Sequence, residues 1–198
     1  MQTGAGFDPV RDLILAEFER PPHVQSINLR TLSAFQRALL VIDGTVTKFI
    51  EAYTMEPVET ELLEQRNETL SADHAVLEAT AGTEVIARRV RLQGRYSRTV
   101  HAWASSLIVP SRLQPREQEK LRIPGESIGR ILLGSRMEQY RELIWYGREH
   151  SADAPEPLRG RSPGGYLSRA YRISSGGRPL MVINERFPMA DSTTPQHH

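Results

Sequence analysis

The sequence predicts an α+β fold, a single and mostly antiparallel β-sheet flanked by helices. Three observations lead there. Helical spacings gather in the first third of the chain, between Val10 and Tyr53. Two strand–turn–strand units follow, one over residues 85–109 and one over 166–187. The regular strand–helix alternation that builds a parallel, doubly wound sheet is missing.

The elements run as follows. Asp8-Pro9 offers an N-cap and a first-turn proline, and Leu13, Ile14, Ala16 and Phe18 recur at helical spacing, so a helix is expected over Val10–Phe18, stopped by Pro21-Pro22. Leu32, Phe35, Leu39 and Leu40 mark a second helix over 31–42, which Asp43-Gly44 terminates. Thr45–Tyr53 reads as a short third helix. Residues 57–67 form a charged strand with one wet face, and 72–80 a short helix. Strand 85–93 turns at Gly94-Arg95-Tyr96-Ser97 and returns through Thr99–Val109, where Pro110 ends it. Short helices are expected over 115–122 and 126–133, and the Tyr, Ile and Trp content of 137–147 favours a strand. Residues 148–164, dense in Ser, Pro and Gly, form a loop, expected to be mobile and to act as a lid or an excursion within one domain. A last hairpin pairs Tyr166–Ser174 with Pro179–Phe187 across Ser175-Gly176-Gly177-Arg178. The expected organisation is one domain over residues 1–190 and a disordered polar tail over 191–198.

Alternation then singles out two charges. Along V-I-A-R-R-V-R-L-Q (85–93), Arg88 shares a face with Ile86, Val90 and Leu92; Arg89, Arg91 and Gln93 take the other face. Along L-M-V-I-N-E-R-F (180–187), Glu185 falls among Met181, Ile183 and Phe187. A charge on a buried face costs several kcal/mol, as an order of magnitude, unless a partner or ligand satisfies it. Two readings fit: Arg88 and Glu185 pair with each other in the core, or they serve an interior anion site with a carboxylate nearby.

Composition narrows the function. Charged residues make up 25% of the chain and the net charge is +1, so no global field attracts nucleic acid or an anionic membrane. The basic residues are nearly all Arg, which suits bidentate carboxylate recognition. Cysteine is absent, which excludes disulfides, thiolate catalysis and Cys-ligated zinc. His23, His74, His101 and His150 show no metal-ligand spacing, and His101, beside Trp103, reads as a packed or edge histidine. No G-x-S-x-G elbow is present, and Gly125–Arg130 lacks the Lys-Ser/Thr of a P-loop, although Gly125-Glu126 can open a helix whose free N–H groups face an anion. The start of the sequence shows no basic-then-apolar signal pattern, and no apolar stretch is long enough to span a bilayer, so a cytoplasmic location is expected.

Four segments, in order and spacing, resemble the chorismate lyase family (chorismate pyruvate-lyase, 4-hydroxybenzoate synthase). Leu39–Ile50, L-L-V-I-D-G-T-V-T-K-F-I, is similar to its helix and D/N-G-[ST]-x-T turn. I-A-R-R-V-R-L-Q-G with the returning A-S-S-L-I-V-P resembles its central hairpin. S-I-G-R-I-L resembles its P-L-G-R-x-L segment. Y-R-I-S-S-G-G-R-P-L-M-V-I-N-E-R-F-P resembles its final hairpin and terminal glutamate. The match covers most of residues 30–190, and the second and fourth segments are most similar to actinobacterial members that feed 4-hydroxybenzoate to secondary pathways. The departures are Glu126-Ser127, where Pro is common before Gly129, and Asn184, where Thr is usual before the glutamate.

The resemblance implies a chorismate lyase-like fold whose ligand is enclosed under helical flaps. It implies elimination of pyruvate from chorismate to give 4-hydroxybenzoate, with no cofactor and no metal, because aromatisation drives the reaction. It places the ligand-binding arginine on Arg88, backbone contacts to the ring carboxylate on Val46 and Ile128, and the glutamate on Glu185, which meets the C4 hydroxyl end and is a candidate base for the C4 proton. An intramolecular elimination with Glu185 only orienting the substrate is the other route. Small-molecule substrate and product are the expected partners, with no nucleic acid and no membrane. Two rivals stay open. One is an aromatic-acid sensor, since regulator effector domains resemble this fold, although the residues ahead of position 30 are expected to be too few for a DNA-binding domain. The other is a structural relative with a core Arg88–Glu185 salt bridge.

Overall fold

The computed structural model describes residues 14, 16, 18–123, 126, 128–135, 138–151, 154–156, 158, 162 and 164–189. Six strands form one sheet: β1 (Val58–Thr69), β2 (Glu84–Gly94), β3 (Val100–Ile108), β4 (Tyr140–Glu149), β5 (Tyr166–Ser175) and β6 (Arg178–Pro188). Their order is β1-β2-β3-β6-β5-β4. Every neighbouring pair is antiparallel, so the expected α+β sheet is antiparallel throughout. The final hairpin turns as anticipated, with Gly176 and Gly177 at φ 56° and 74°, the left-handed pair that a tight two-residue turn requires.

Two helix pairs cover one face. Helix α1 (Ala34–Val41) starts at a full capping box, in which the Gln36 N–H donates to Ser33 Oγ and the Ser33 N–H donates to Gln36 Oε1. Helix α2 (Val46–Thr54) has no side-chain cap at Thr45 and ends at Met55 in the left-handed conformation, φ 56°. Leu39, Leu40, Val46 and Ile50 pack with Leu92, Ala102, Tyr146, Leu167 and Phe187 into one apolar cluster. Helices α3 (Pro115–Lys120) and α4 (Ile128–Gly134) lie within the β3–β4 connection. Leu121, Ile131 and Leu132 pack with Ile108, Ile173, Met181 and Ile183 into a second cluster on the same face. That sheet face therefore has two apolar ends, each roofed by a helix pair.

Three expectations change. Ile14, Ala16 and Phe18 are not helical; the rest of the Val10–Phe18 helix, like the 191–198 tail, lies outside the described residues. The Phe18 N–H instead donates to the Ile144 carbonyl, 3.0 Å, and Gln25 bridges to Arg148, so this segment follows the edge of β4. Of the 72–80 helix only a 3₁₀ turn at Ala75–Leu77 forms. Asp73 Oδ1 accepts from the Ala81 N–H and His74 Nδ1 from the Leu77 N–H, bonds that compete with a helical ladder. The 148–164 loop is no lid over the roofed face in its described part. Ala154 and Leu158 pack with Trp103 and Tyr166 on the opposite face, and Glu149, a terminal residue of β4, is buried against Arg186. Among the described residues no helix is long and apolar enough to cross a membrane.

Candidate functional site

Between the two apolar clusters the roofed face holds a partly open cavity. Its floor comes from β2, β3, β5 and β6: Arg88, Val90, Ala104, Ser106, Tyr171, Ile183 and Glu185. Its roof comes from the two places where helices begin, Gly44–Thr47 ahead of and inside α2, and Ile128-Gly129 at the start of α4. Arg88, Glu185, Val46 and Ile128 therefore all line one cavity. The roofs touch closely. A Cβ on Gly129 would stand 2.6 Å from Thr45 Cγ2, so only a glycine fits there without moving Thr45.

Arg88 is 2% exposed. Nη1 donates to Gln65 Oε1 (2.7 Å) and to the Leu121 carbonyl (3.3 Å), and Nη2 donates to the Glu126 carbonyl. Nε is buried with no partner among the described residues. A guanidinium has five N–H donors. The Nε–H and one Nη2–H are left over, and the Nε edge of a guanidinium is one of those that grip a carboxylate. Burial pushes the Arg88 guanidinium below its ordinary pKa, because it penalises the charged form. An anion in the cavity would offset that cost.

Above Arg88, α2 presents its first turn. Thr45 makes no capping bond, and its Oγ1 is buried without a partner. Val46, the first residue of the helix, lines the cavity, and a helix's opening N–H groups carry the positive end of its dipole.

The core pairing of Arg88 with Glu185 does not occur. Register explains why: Glu185 stands opposite Ala104 and Arg169, whereas Arg88 stands opposite Ser106 and Gln65. Arg169 donates from Nε to Glu185 Oε2 at 2.9 Å, with Nη2 in ion-pair contact with the same oxygen at 2.9 Å, and from Nη1 to the Ile42 carbonyl at 3.3 Å. The Tyr171 hydroxyl donates to Glu185 Oε1 at 3.0 Å. Burial, then the Glu185 charge, push the Tyr171 phenol far up, so it stays protonated. Arg169 and Tyr171 are the residues the sequence reading missed. Both carried the same signal, since alternation puts Leu167, Arg169, Tyr171 and Ile173 on one face. His101 sits beside Glu56, Nε2–Oε1 3.8 Å, away from the cavity. Among the described residues no group of three or more His, Asp or Glu side chains is placed to hold a metal.

Residues 40–194 match the model of the family described as chorismate pyruvate-lyase Rv2949c-like. The chain belongs to this family. It is 28% identical over 171 residues to the chorismate pyruvate-lyase of Mycobacterium tuberculosis, covering 80% of this chain and 82% of that protein. To the Mycobacterium leprae chorismate pyruvate-lyase it is 27% identical over 165 residues, covering 80% and 76%. Among solved structures, the effector domain of PhnF from Mycobacterium smegmatis superposes with a TM-score of 0.52 at 11% identity, over 73% of this chain and 88% of that one. The C-terminal domain of the histidine utilization repressor from Pseudomonas syringae superposes at 0.50 and 10% identity, over 71% and 98%. These two likenesses establish a shared fold, and nothing finer.

Proposed function

We propose that the protein is a chorismate pyruvate-lyase, releasing pyruvate from chorismate and leaving 4-hydroxybenzoate. The observation that carries this reading is the cavity itself. It sets a buried guanidinium whose Nε has no partner among the described residues against a buried carboxylate on the same floor, in a chain of a chorismate pyruvate-lyase family.

Arg88 holds the ring carboxylate through Nε–H and Nη2–H, and the N–H groups of Val46 and Ile128 complete the anion site. Glu185 stands at the C4 end. Its two oxygens offer about four acceptor positions. Arg169 takes two and Tyr171 one, which leaves one on Oε1 for the C4 hydroxyl. The C4–H and C3–O bonds break, the ring becomes aromatic, and the three-carbon fragment leaves as pyruvate with one proton added to its methylene. That proton reaches it through Glu185 or directly from C4. The enzyme's share is to hold the substrate in one pose under the helical roofs and keep water away. Aromatisation supplies the driving force, so the chemistry asks for no cofactor.

The fold shared with regulator effector domains supports a second reading, an aromatic-acid-binding protein without turnover. One experiment separates the two. Purified protein is incubated with chorismate, pyruvate is followed by a coupled dehydrogenase, and the aromatic product by chromatography. Equimolar pyruvate and 4-hydroxybenzoate, with KM raised roughly a hundredfold in Arg88→Ala and less in Arg88→Lys, is expected. A folded protein that binds 4-hydroxybenzoate but releases no pyruvate sinks the lyase reading.

A further inference from the structure

Arg141 lines the same cavity from its far side. It lies on β4, opposite Ile173, one same-face row beyond the row that holds Arg88 and Tyr171. Strand order puts four strand steps between β2 and β4, about 19 Å of backbone at about 4.8 Å per step. Two long side chains thus enter the cavity from opposite walls, with Glu185 on β6 between them. Their circumstances differ. Arg88 is held by three acceptors. Arg141 makes a loose ion pair, Nη1 to Asp43 Oδ1 at 3.7 Å, and Asp43 is 82% exposed. The Arg141 side chain is only 16% exposed, and its Nε is buried with no partner among the described residues. An arginine drawn into a largely apolar cavity, with its inner donor unmet, is placed for an anion not yet there.

Building on the lyase reading above, we propose that Arg141 is a specificity-determining residue that binds a second carboxylate, so that the cavity selects a dianionic ligand over a monoanionic one. Arg88 takes the carboxylate on the ring, and Arg141 takes the carboxylate of the enolpyruvyl ether. The product keeps only the first of these groups. Loss of the second anion as the three-carbon fragment departs removes the Arg141 contact. Substrate and product are thereby distinguished by a side chain that does not touch the ring carboxylate, which eases release of the product from a roofed site. Asp43, on the turn ahead of α2, competes for Arg141 from the solvent side.

The test compares ligands with one and two carboxylates on full-length Arg141→Met, Arg141→Lys and Asp43→Asn, each checked for an unchanged melting transition. In Arg141→Met the chorismate KM should rise at least tenfold, while the Kd for 4-hydroxybenzoate stays within twofold. Arg141→Lys should fall between, and Asp43→Asn should lower the chorismate KM about twofold by freeing Arg141. Equal changes for both ligands in Arg141→Met, or an unmoved chorismate KM, would overturn the proposal. Titration with the unreactive dianion 4-(carboxymethoxy)benzoate keeps the test independent of turnover. If wild type releases no pyruvate yet binds this dianion at least tenfold tighter than Arg141→Met does, the lyase reading falls and the Arg141 assignment stands. If the two bind it equally, the Arg141 assignment falls whatever the turnover.

Discussion

Arg169→Met is the perturbation that most directly tests how the site is held. The Arg169 and Glu185 side chains are 4% and 7% exposed, and two nitrogens of one guanidinium converge on one carboxylate oxygen. Removing the cation leaves a buried carboxylate whose remaining bond is from the Tyr171 hydroxyl. Breaking a buried pair from one side costs about 3–5 kcal/mol, because the orphaned charge stays behind. Total stabilities run to about 5–15 kcal/mol, so this loss is a large share. For a chain of this size it corresponds to a fall of about 6–20 °C in Tm. Urea unfolding followed by tryptophan fluorescence measures it, provided the m-value is unchanged. The double variant Arg169→Met/Glu185→Gln should recover about 2 kcal/mol, since a neutral amide keeps the Tyr171 bond without burying a charge. A loss below about 1 kcal/mol for the single variant, or a double variant no more stable than the single, refutes the view that Arg169 neutralises Glu185 in the core.

Three further outcomes follow from the same geometry. Glu185→Gln should lower kcat by about 10²–10⁴-fold while 4-hydroxybenzoate affinity shifts far less; unchanged turnover removes Glu185 from the proton path. The raised Tyr171 phenol gives a pH signature. The folded state keeps its proton, whereas the unfolded chain loses it near pH 10, so stability is intact below about pH 10 and falls as pH rises beyond it. Tyr171→Phe should flatten much of that fall, with the similarly raised Tyr166 supplying part of the remainder, and alkaline urea titrations would expose a Tyr171→Phe slope equal to wild type as contrary. Gly129→Ala should wedge the two roofs apart through Thr45 and weaken 4-hydroxybenzoate binding several-fold, and adding Thr45→Ser, which deletes the opposed methyl, should restore it; calorimetric titration of both variants decides.

Much of the fold was legible because its signals are local. The apolar spacing of Phe35, Leu39 and Leu40 in α1, the Gly176-Gly177 turn and the alternation along β2 and β6 each specify their element within a few residues. Arg88 and Glu185 were legible as charges on an apolar face for the same reason. Which arginine meets Glu185 was not, because pairing depends on register between strands far apart in sequence. Arg169 lies directly across from Glu185, and Arg88 two strands away and in another row. The non-helical course of the chain at Phe18 also has a non-local cause. The Phe18 N–H donates to the Ile144 carbonyl, more than a hundred positions on.

Both edge strands carry a register shift, and these shifts explain how the cavity acquires residues that alternation alone would send elsewhere. On β4 the shift falls at Ile144, between Leu143 and Trp145. Tyr146 faces the roofed side in the α1–α2 cluster, and strict alternation from it would turn Arg141 outward. The extra residue reverses the parity, brings Arg141 into the cavity and frees the Ile144 carbonyl to accept from Phe18. On β1 the shift falls at Leu63. Thr60 faces the cavity, yet Gln65, five positions on, points the same way and holds Arg88. A bulge on each flank thus aims one polar side chain inward: Gln65 orients Arg88, and Arg141 stands opposite with only its Nε unmet among the described residues. Deleting Leu63 removes the extra residue, so plain alternation then carries Gln65 to the cavity face; the variant should keep the Gln65–Arg88 bond and its aromatic-acid affinity, and a calorimetric titration that finds the affinity lost would refute this register.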